Sequence, residues 1–224
     1  MKRWATYLVL CLFVPAVVMG GAWLFADKQY AWVSLCVAIL SCVPFFWRFE
    51  RREADVKKLI LIAVMVALSV VGRILFAPLP GFKPVTAMVV ITAMYFGSEA
   101  GFLTGALSAV ISNFYFGQGP WTPFQMFSWG ILGLLAGVLA QPLRRSRIAL
   151  VLYGLLSGVL YSLLMDVWTV LWADGYFNFP RYLAAIASAV PVTITYALSN
   201  VVFLLLFARP IGKILDRMCT KYAL

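Results

Sequence analysis

Ala77-Pro78-Leu79-Pro80-Gly81-Phe82-Lys83-Pro84 and, farther on, Ser112-Asn113-Phe114-Tyr115-Phe116-Gly117-Gln118-Gly119-Pro120-Trp121-Thr122-Pro123-Phe124-Gln125-Met126 interrupt a chain that is otherwise almost continuously apolar. Both stretches are rich in Gly, Pro, aromatic and polar residues. Irregular backbone at the edge of a membrane has to be satisfied by protein, water or ligand. Plain turns between helices do not need Asn113, Gln118, Trp121 and Gln125 so close together. The two stretches therefore read as the mouth of a small-molecule pocket.

Composition sets the solvent for everything around them. The chain has 224 residues, 64% of them hydrophobic and 12% charged, with a mean hydropathy of +0.96. A soluble domain carries about 25% charged residues, so this is an all-α integral membrane protein. The net charge of +10 comes from residues at helix ends, which points to membrane topology and lipid rather than to nucleic acid. The chain contains no histidine, which excludes a Ser-His triad and a His metal site. It has no phosphate-binding G-x-x-x-x-G-K-[ST] loop, so any ATP-driven work needs a nucleotide bound by another chain. Cys11, Cys36, Cys42 and Cys219 have no metal or redox spacing and read as small hydrophobes. No cofactor, metal or enzymatic site is expected.

Working outward, a hydrocarbon core of about 30 Å needs roughly 20 apolar residues as helix. Two candidate spans, 4–25 and 31–47, form a preface, assigned to residues 1–53. A charged stretch from Arg48 to Lys58 follows. The main body, 54–224, divides into spans at about 59–76, 85–97, 101–116, 124–141, 148–172 and 183–208. The second and third are short, so they tilt or are sheltered by neighbours. Fourteen of the eighteen Lys and Arg residues then fall on one side; the exceptions are Lys28, Arg73, Lys83 and Arg181. That bias predicts eight spans with both termini cytoplasmic and the polar loops outward. Gly101-x-x-x-Gly105, Gly133-x-x-x-Gly137 and Gly154-x-x-x-Gly158 put small residues on helix faces and predict close helix packing.

Arg73 and Asp166 are charges inside predicted spans. Such charges face a cavity or a partner: either they pair and hold the first and fifth body helices together, or they touch a polar ligand. Trp121 and Trp129 are candidates to stack on a flat ligand, whereas Trp172 and Tyr176 read as interfacial aromatics. Asn200 is expected to bond a neighbouring helix, and Thr193, Thr195 and Tyr196 to lie nearer the pocket. On the first body helix, Ala63 and Ala67 are four apart, a spacing common in packed membrane helices.

From about Lys57 onward the chain resembles the substrate-binding S-components of energy-coupling factor (ECF) vitamin transporters. The resemblance rests on the six-span body, Ala63-x-x-x-Ala67, Gly72-Arg73, the Pro-rich first outer loop, Gly101-x-x-x-Gly105 and above all the run from Ser112 to Met126. It implies a six-helix S-component bundle, here preceded by two extra transmembrane helices, in a bacterial plasma membrane. It further implies capture of a vitamin-like molecule from outside, and docking through Ala63 and Ala67 onto a coupling subunit (the T-component) that carries two ATPases. The S-component would topple in the membrane to carry its pocket inward. Substrate contacts are expected from Arg73, Lys83, Asn113, Gln118, Trp121, Gln125, Trp129 and Asp166. The loop run looks most like cobalamin-type members, whose amide-rich ligand would suit neutral donors such as Asn113, Gln118, Thr122 and Gln125. An ion-coupled secondary transporter is the alternative.

Overall fold

A computed structural model describes residues 56–222. The two preface spans, the domain boundary at 53 and both termini lie outside the described residues. Among the described residues every regular element is helical: α1 (Val56–Leu75), α2 (Val85–Phe96), α3 (Ser98–Phe116), α4 (Thr122–Val138), α5 (Ala140–Arg145), α6 (Arg147–Asp174) and α7 (Phe179–Tyr222). Six of these correspond to the six expected body spans. Of them α1, α6 and α7 are each long and apolar enough to cross a membrane, while α2 and α4 are shorter apolar helices. The protein is a multi-pass membrane protein.

The short α2 is explained by its surroundings. Its 12 residues rise only about 18 Å, less than a hydrocarbon core of about 30 Å. Every residue except Tyr95 is buried, because α1, α3, α4 and α7 pack around it. A helix apolar on all faces belongs in such a place. Gly97 ends it at φ 91, a left-handed value that a side chain would resist, and α3 starts at the next residue. Serine and glycine set the limits of α6. The Ser146 side chain accepts the Ala149 N–H at its start, and Gly175 takes the left-handed conformation at its end, the usual chemistry of helix caps.

The small-residue faces are where helices meet most closely. A Cβ on Gly101 would lie 2.7 Å from the Gly133 carbonyl oxygen, and one on Gly105 would lie 2.5 Å from the Trp129 backbone. These contacts seat α3 on α4. On the other side a Cβ on Gly158 would lie 2.5 Å from the Ala197 backbone, which seats α6 on α7. In lipid, where apolar surface is not driven out of water, such close approach supplies the packing energy. Val85, Val89, Ala109, Trp129, Leu132 and Tyr161 form one buried cluster, and it floors the site described next.

Two features depart from the expected spans. The short α5 lies across the gap between the expected spans 124–141 and 148–172. Arg144 on it pairs with Asp216 of α7 at 2.7 Å and lies 4.3 Å from the Tyr95 ring centroid, tying three elements together. The last helix runs to 44 residues, with Pro191 and Pro210 inside it, instead of ending near 208. That is about 66 Å of helix, well beyond a bilayer core. Its final turns are amphipathic: Gly212 and Leu215 are buried while Arg209, Lys213, Arg217 and Lys221 are exposed.

Candidate ligand-binding cavity

One cavity opens where the end of α1, the 76–84 loop and the first turn of α4 converge. Arg73 comes from α1, Lys83 from the loop, and Val85 and Thr86 from the first turn of α2. Gln125 and Trp129 come from α4, Tyr161 from α6, and Tyr196 and Asn200 from α7.

Arg73 is the centre of the site. It is 6% exposed. Its Nη1 donates to Asn113 Oδ1 at 2.8 Å and also to the Ser112 hydroxyl. The guanidinium carbon lies 4.6 Å from the Phe116 ring centroid and 5.0 Å from that of Trp129, so the cation is held against two π faces. Its Nε has no hydrogen-bond partner. Trp129 stacks on Tyr161, with centroids 5.1 Å apart and planes 18° apart. Tyr161 in turn meets Tyr196 edge-on at 5.2 Å. The cavity thus has an aromatic wall on one side of a buried cation.

Lys83 is positioned through its backbone. Its N–H donates to Ser199 Oγ at 2.8 Å, and the Ser199 hydroxyl donates back to the Lys83 carbonyl at 3.2 Å. Phe76, Phe82 and Phe203 pack together behind it, with Phe82 and Phe203 centroids 4.9 Å apart. The Lys83 ammonium lies 5.2 Å from the Phe116 centroid. Burial, and secondarily the charge of Arg73, push its pKa below the usual lysine value.

The neutral polar residues of the 113–125 run mostly satisfy one another. Asn113 Nδ2 donates to Thr122 Oγ1 at 2.9 Å and to Gln125 Oε1 at 2.8 Å. The Thr122 hydroxyl donates to Gln118 Oε1 at 3.0 Å, and Gln118 Nε2 donates to the Val110 carbonyl at 2.8 Å. This network fastens the 117–121 loop to the end of α3.

Of the eight expected substrate contacts, Arg73, Lys83, Gln125 and Trp129 line the cavity. Asn113 stands behind it, joined to both Arg73 and Gln125. Gln118 and Trp121 lie outside: Gln118 is exposed, and the Trp121 ring covers Gly119, where a Cβ would lie 2.3 Å from it. Asp166 also lies away from the cavity and makes no ion pair with Arg73. The reading in which Arg73 and Asp166 pair to hold the first and fifth body helices together is not borne out, because α1 packs mainly on α3 and α2, which turns Arg73 toward Ser112 and Asn113. Asp166 Oδ2 is buried without a hydrogen-bond partner.

Tyr161, Val85 and Thr86 were not anticipated. Tyr161 had a signal: it follows Gly154 and Gly158 along one face of α6, and that face packs on α7. Asn200 does bond a neighbouring helix, donating to Ser157 Oγ at 3.0 Å, and lines the cavity as well. Tyr196 reaches the cavity, whereas Thr193 contacts Ser162 at 2.6 Å and Thr195 donates to its own helix at Pro191 O. Ala63 and Ala67 are exposed on the side of α1 away from buried Arg73.

The cavity is narrow. Its water-sized space totals about 40 Å³, room for about three water molecules. An organic ligand requires the loops at this end of the bundle or the lining side chains to shift. Among the described residues no group of His, Cys, Asp or Glu is placed to hold a metal ion. The lining offers stacking faces, amide and hydroxyl hydrogen bonds, and two cations.

The family model described as "ECF-type riboflavin transporter, S component" matches residues 53–217. No curated protein and no solved structure matches the chain. The match covers most of the chain, and the chain belongs to that family of substrate-specific ECF subunits. The match is to a riboflavin-type family and does not bear out the expected cobalamin-type specificity. The neutral amides taken as corrinoid contacts are largely spent on each other.

Proposed function

We propose that this member of the riboflavin-type S-component family captures a flavin from outside a bacterial plasma membrane and delivers it into an ECF importer. The observation that carries the ligand class is the Trp129–Tyr161 stack, set beside Arg73 and edged by Tyr196. A flat tricyclic ring offers a large face to such a wall, and its carbonyl and imino edge suits Gln125, Thr86 and Asn200. Family membership supports a T-component and two ATPases as partners. The exposed Ala63 and Ala67 are the face proposed to meet the T-component. The chain acts by binding and carrying, not by catalysis.

Flavin fluorescence tests this directly. Riboflavin added to the purified, full-length chain in detergent should lose its fluorescence saturably as the ring stacks on tryptophan and tyrosine. Its binding should also raise the thermal midpoint, since a ligand of the native state stabilises that state. A folded sample that neither quenches riboflavin nor gains stability from it would overturn the flavin assignment. A second reading draws on Asp166, whose Oδ2 has no partner. Intramembrane carboxylates often serve ion coupling. Uptake that persists without ATPase subunits, but collapses with the proton gradient, would favour it.

A further inference from the structure

Away from the cavity, a second hollow lies between α1 and the last turns of α7. α1 packs mainly on α3 and α2, and α7 mainly on α6, so an apolar groove of about 560 Å³ stays open between them. Ile60, Val64 and Leu68 form one wall, and Ile211, Ile214 and Met218 the other. Buried Met65 and Leu215 floor it. The two ends of the groove differ. Leu68 and Ile211 make one end apolar, while Lys57 and Tyr222 stand at the other. There the Lys57 ammonium lies 5.2 Å from the Tyr222 ring centroid, and the Lys221 ammonium lies 5.4 Å from it. Lys58 and Arg217 belong to the same turns of α1 and α7. Asp216, the one acid on α7, is committed to Arg144. The charged stretch ahead of α1 is balanced, with Arg48, Arg51 and Arg52 against Glu50, Glu53 and Asp55, so the rim keeps its positive charge.

From Lys57 to Leu68, α1 rises about 16 Å, roughly half of a hydrocarbon core of about 30 Å. The groove is therefore as long as one leaflet is deep, with cations at one end only. Lipid packs against any apolar membrane face, but a groove between helices that ends in a basic rim also selects by headgroup. We propose that this groove binds an anionic glycerophospholipid, with one acyl chain along Ile60, Val64, Leu68 and Ile214 and the phosphate at Lys57 and Lys221. An ammonium has three N–H donors, so it can rest on a ring and still donate to a phosphate oxygen. Such charge-assisted bonds are about twice as strong as neutral ones. Tyr222, with an apolar ring and a polar tip, suits the boundary between chain and headgroup. Ala63 and Ala67 do not line the groove, so the lipid site is distinct from the face proposed to meet the T-component.

The test adds dioleoylphosphatidylglycerol or dioleoylphosphatidylcholine to the delipidated full-length chain in neutral detergent. Thermal midpoint and native mass spectrometry report binding. Phosphatidylglycerol should raise the midpoint saturably and stay bound as a discrete adduct, since a ligand of the native state stabilises it. Phosphatidylcholine at the same mole fraction should do neither, and the preference should shrink as salt is raised. Lys57→Gln combined with Lys221→Gln should weaken phosphatidylglycerol at least about tenfold, and arginine at both positions should keep most of the affinity. Arg145→Gln with Arg147→Gln, exposed cations that do not line the groove, should change it by less than about threefold. Ile214→Trp, which puts an indole in the groove, should displace the adduct. Should Ile214→Trp misfold, the lipid comparison and the two glutamine pairs still decide. Equal effects of the two lipids would overturn the inference. So would equal losses in the two glutamine pairs, which would mean diffuse surface charge. An Ile214→Trp chain that folds, is less stable without lipid and keeps the adduct would give the groove to the chain's own residues 31–47 and overturn it as well.

Discussion

At the scale of single residues, two tryptophans that look alike in sequence have opposite surroundings. Trp129 is 5% exposed and stacked on Tyr161, while Trp121 lies over Gly119 outside the cavity. Trp129→Ala should weaken flavin affinity at least about tenfold, since aromatic stacking on a nucleobase-like ring contributes about 1–3 kcal/mol. Trp121→Ala should change it by less than about threefold. Quenching titrations on both variants check the pair, and the reverse order would move the ligand to the outer loop. Lys83 gives a prediction in pH. Its folded-state pKa lies below the ordinary lysine value because burial and Arg73 disfavour the charged form. The folded protein therefore carries a penalty while the ammonium is charged, and the penalty lessens as pH rises through the folded pKa toward about 10.4. Lys83→Met should accordingly raise the melting temperature of the ligand-free protein at pH 7, with the gain shrinking toward pH 10. A gain independent of pH would assign the effect to packing. Charge, aromatic content and the amide in the polar run made Arg73, Lys83, Trp129 and Gln125 legible in the sequence. What sequence could not supply was direction. Asn113 and Gln118 are as polar as any ligand contact, yet their donors turn inward to Thr122, Gln125 and Val110. The partner of Arg73 depended on which helix α1 leans against, and a composition of charges inside spans does not carry that.

Among the helices, the α3–α4 seam depends on glycines that let backbone meet backbone. A Cβ on Gly133 would sit 2.3 Å from the Gly101 carbonyl group, and no rotamer relieves a clash with backbone. Gly133→Leu should therefore abolish the native bundle or destabilise it by about 1–3 kcal/mol or more. The expected readout is loss of the monodisperse peak in detergent and of riboflavin-dependent thermal protection. Leu152→Ala, at an exposed position of α6, should leave both intact; an unaffected Gly133→Leu would mean that the helices separate more readily than their contact implies. This seam was readable because small residues four apart recur on both helices. The extent of α7 was not. Apolar runs reveal spans, but residues 209–222 are amphipathic, with Gly212 and Leu215 turned inward among exposed cations. A polar tail and a helix with one buried stripe look alike when only mean hydropathy is read. The short α5 escaped for a related reason: Gln141, Pro142 and two arginines resemble a loop, and it takes helical form where Leu143 is buried and Arg144 meets Asp216.

For the whole molecule, the cavity and the exposed alanines of α1 lie on different faces of that helix. Arg73 lies on its buried face toward α3, at the cavity end, whereas Ala63 and Ala67 lie on an exposed face among Ile60, Val64 and Leu68. If that face meets a T-component, ligand capture and docking are separable by mutation. Small side chains let two helices approach within van der Waals contact of their backbones, and an indole at each position would hold a partner helix away. Ala63→Trp combined with Ala67→Trp should therefore abolish flavin uptake by cells that supply the coupling subunit and ATPases. The same variant should bind riboflavin with an affinity within about threefold of the parent chain, because neither alanine lines the cavity. Co-purification gives the intermediate step: the variant should lose the coupling subunit while retaining its own thermal midpoint. Lost ligand binding would place the alanines in the interior packing of the bundle instead. Undiminished uptake would move the docking surface to another face of the protein.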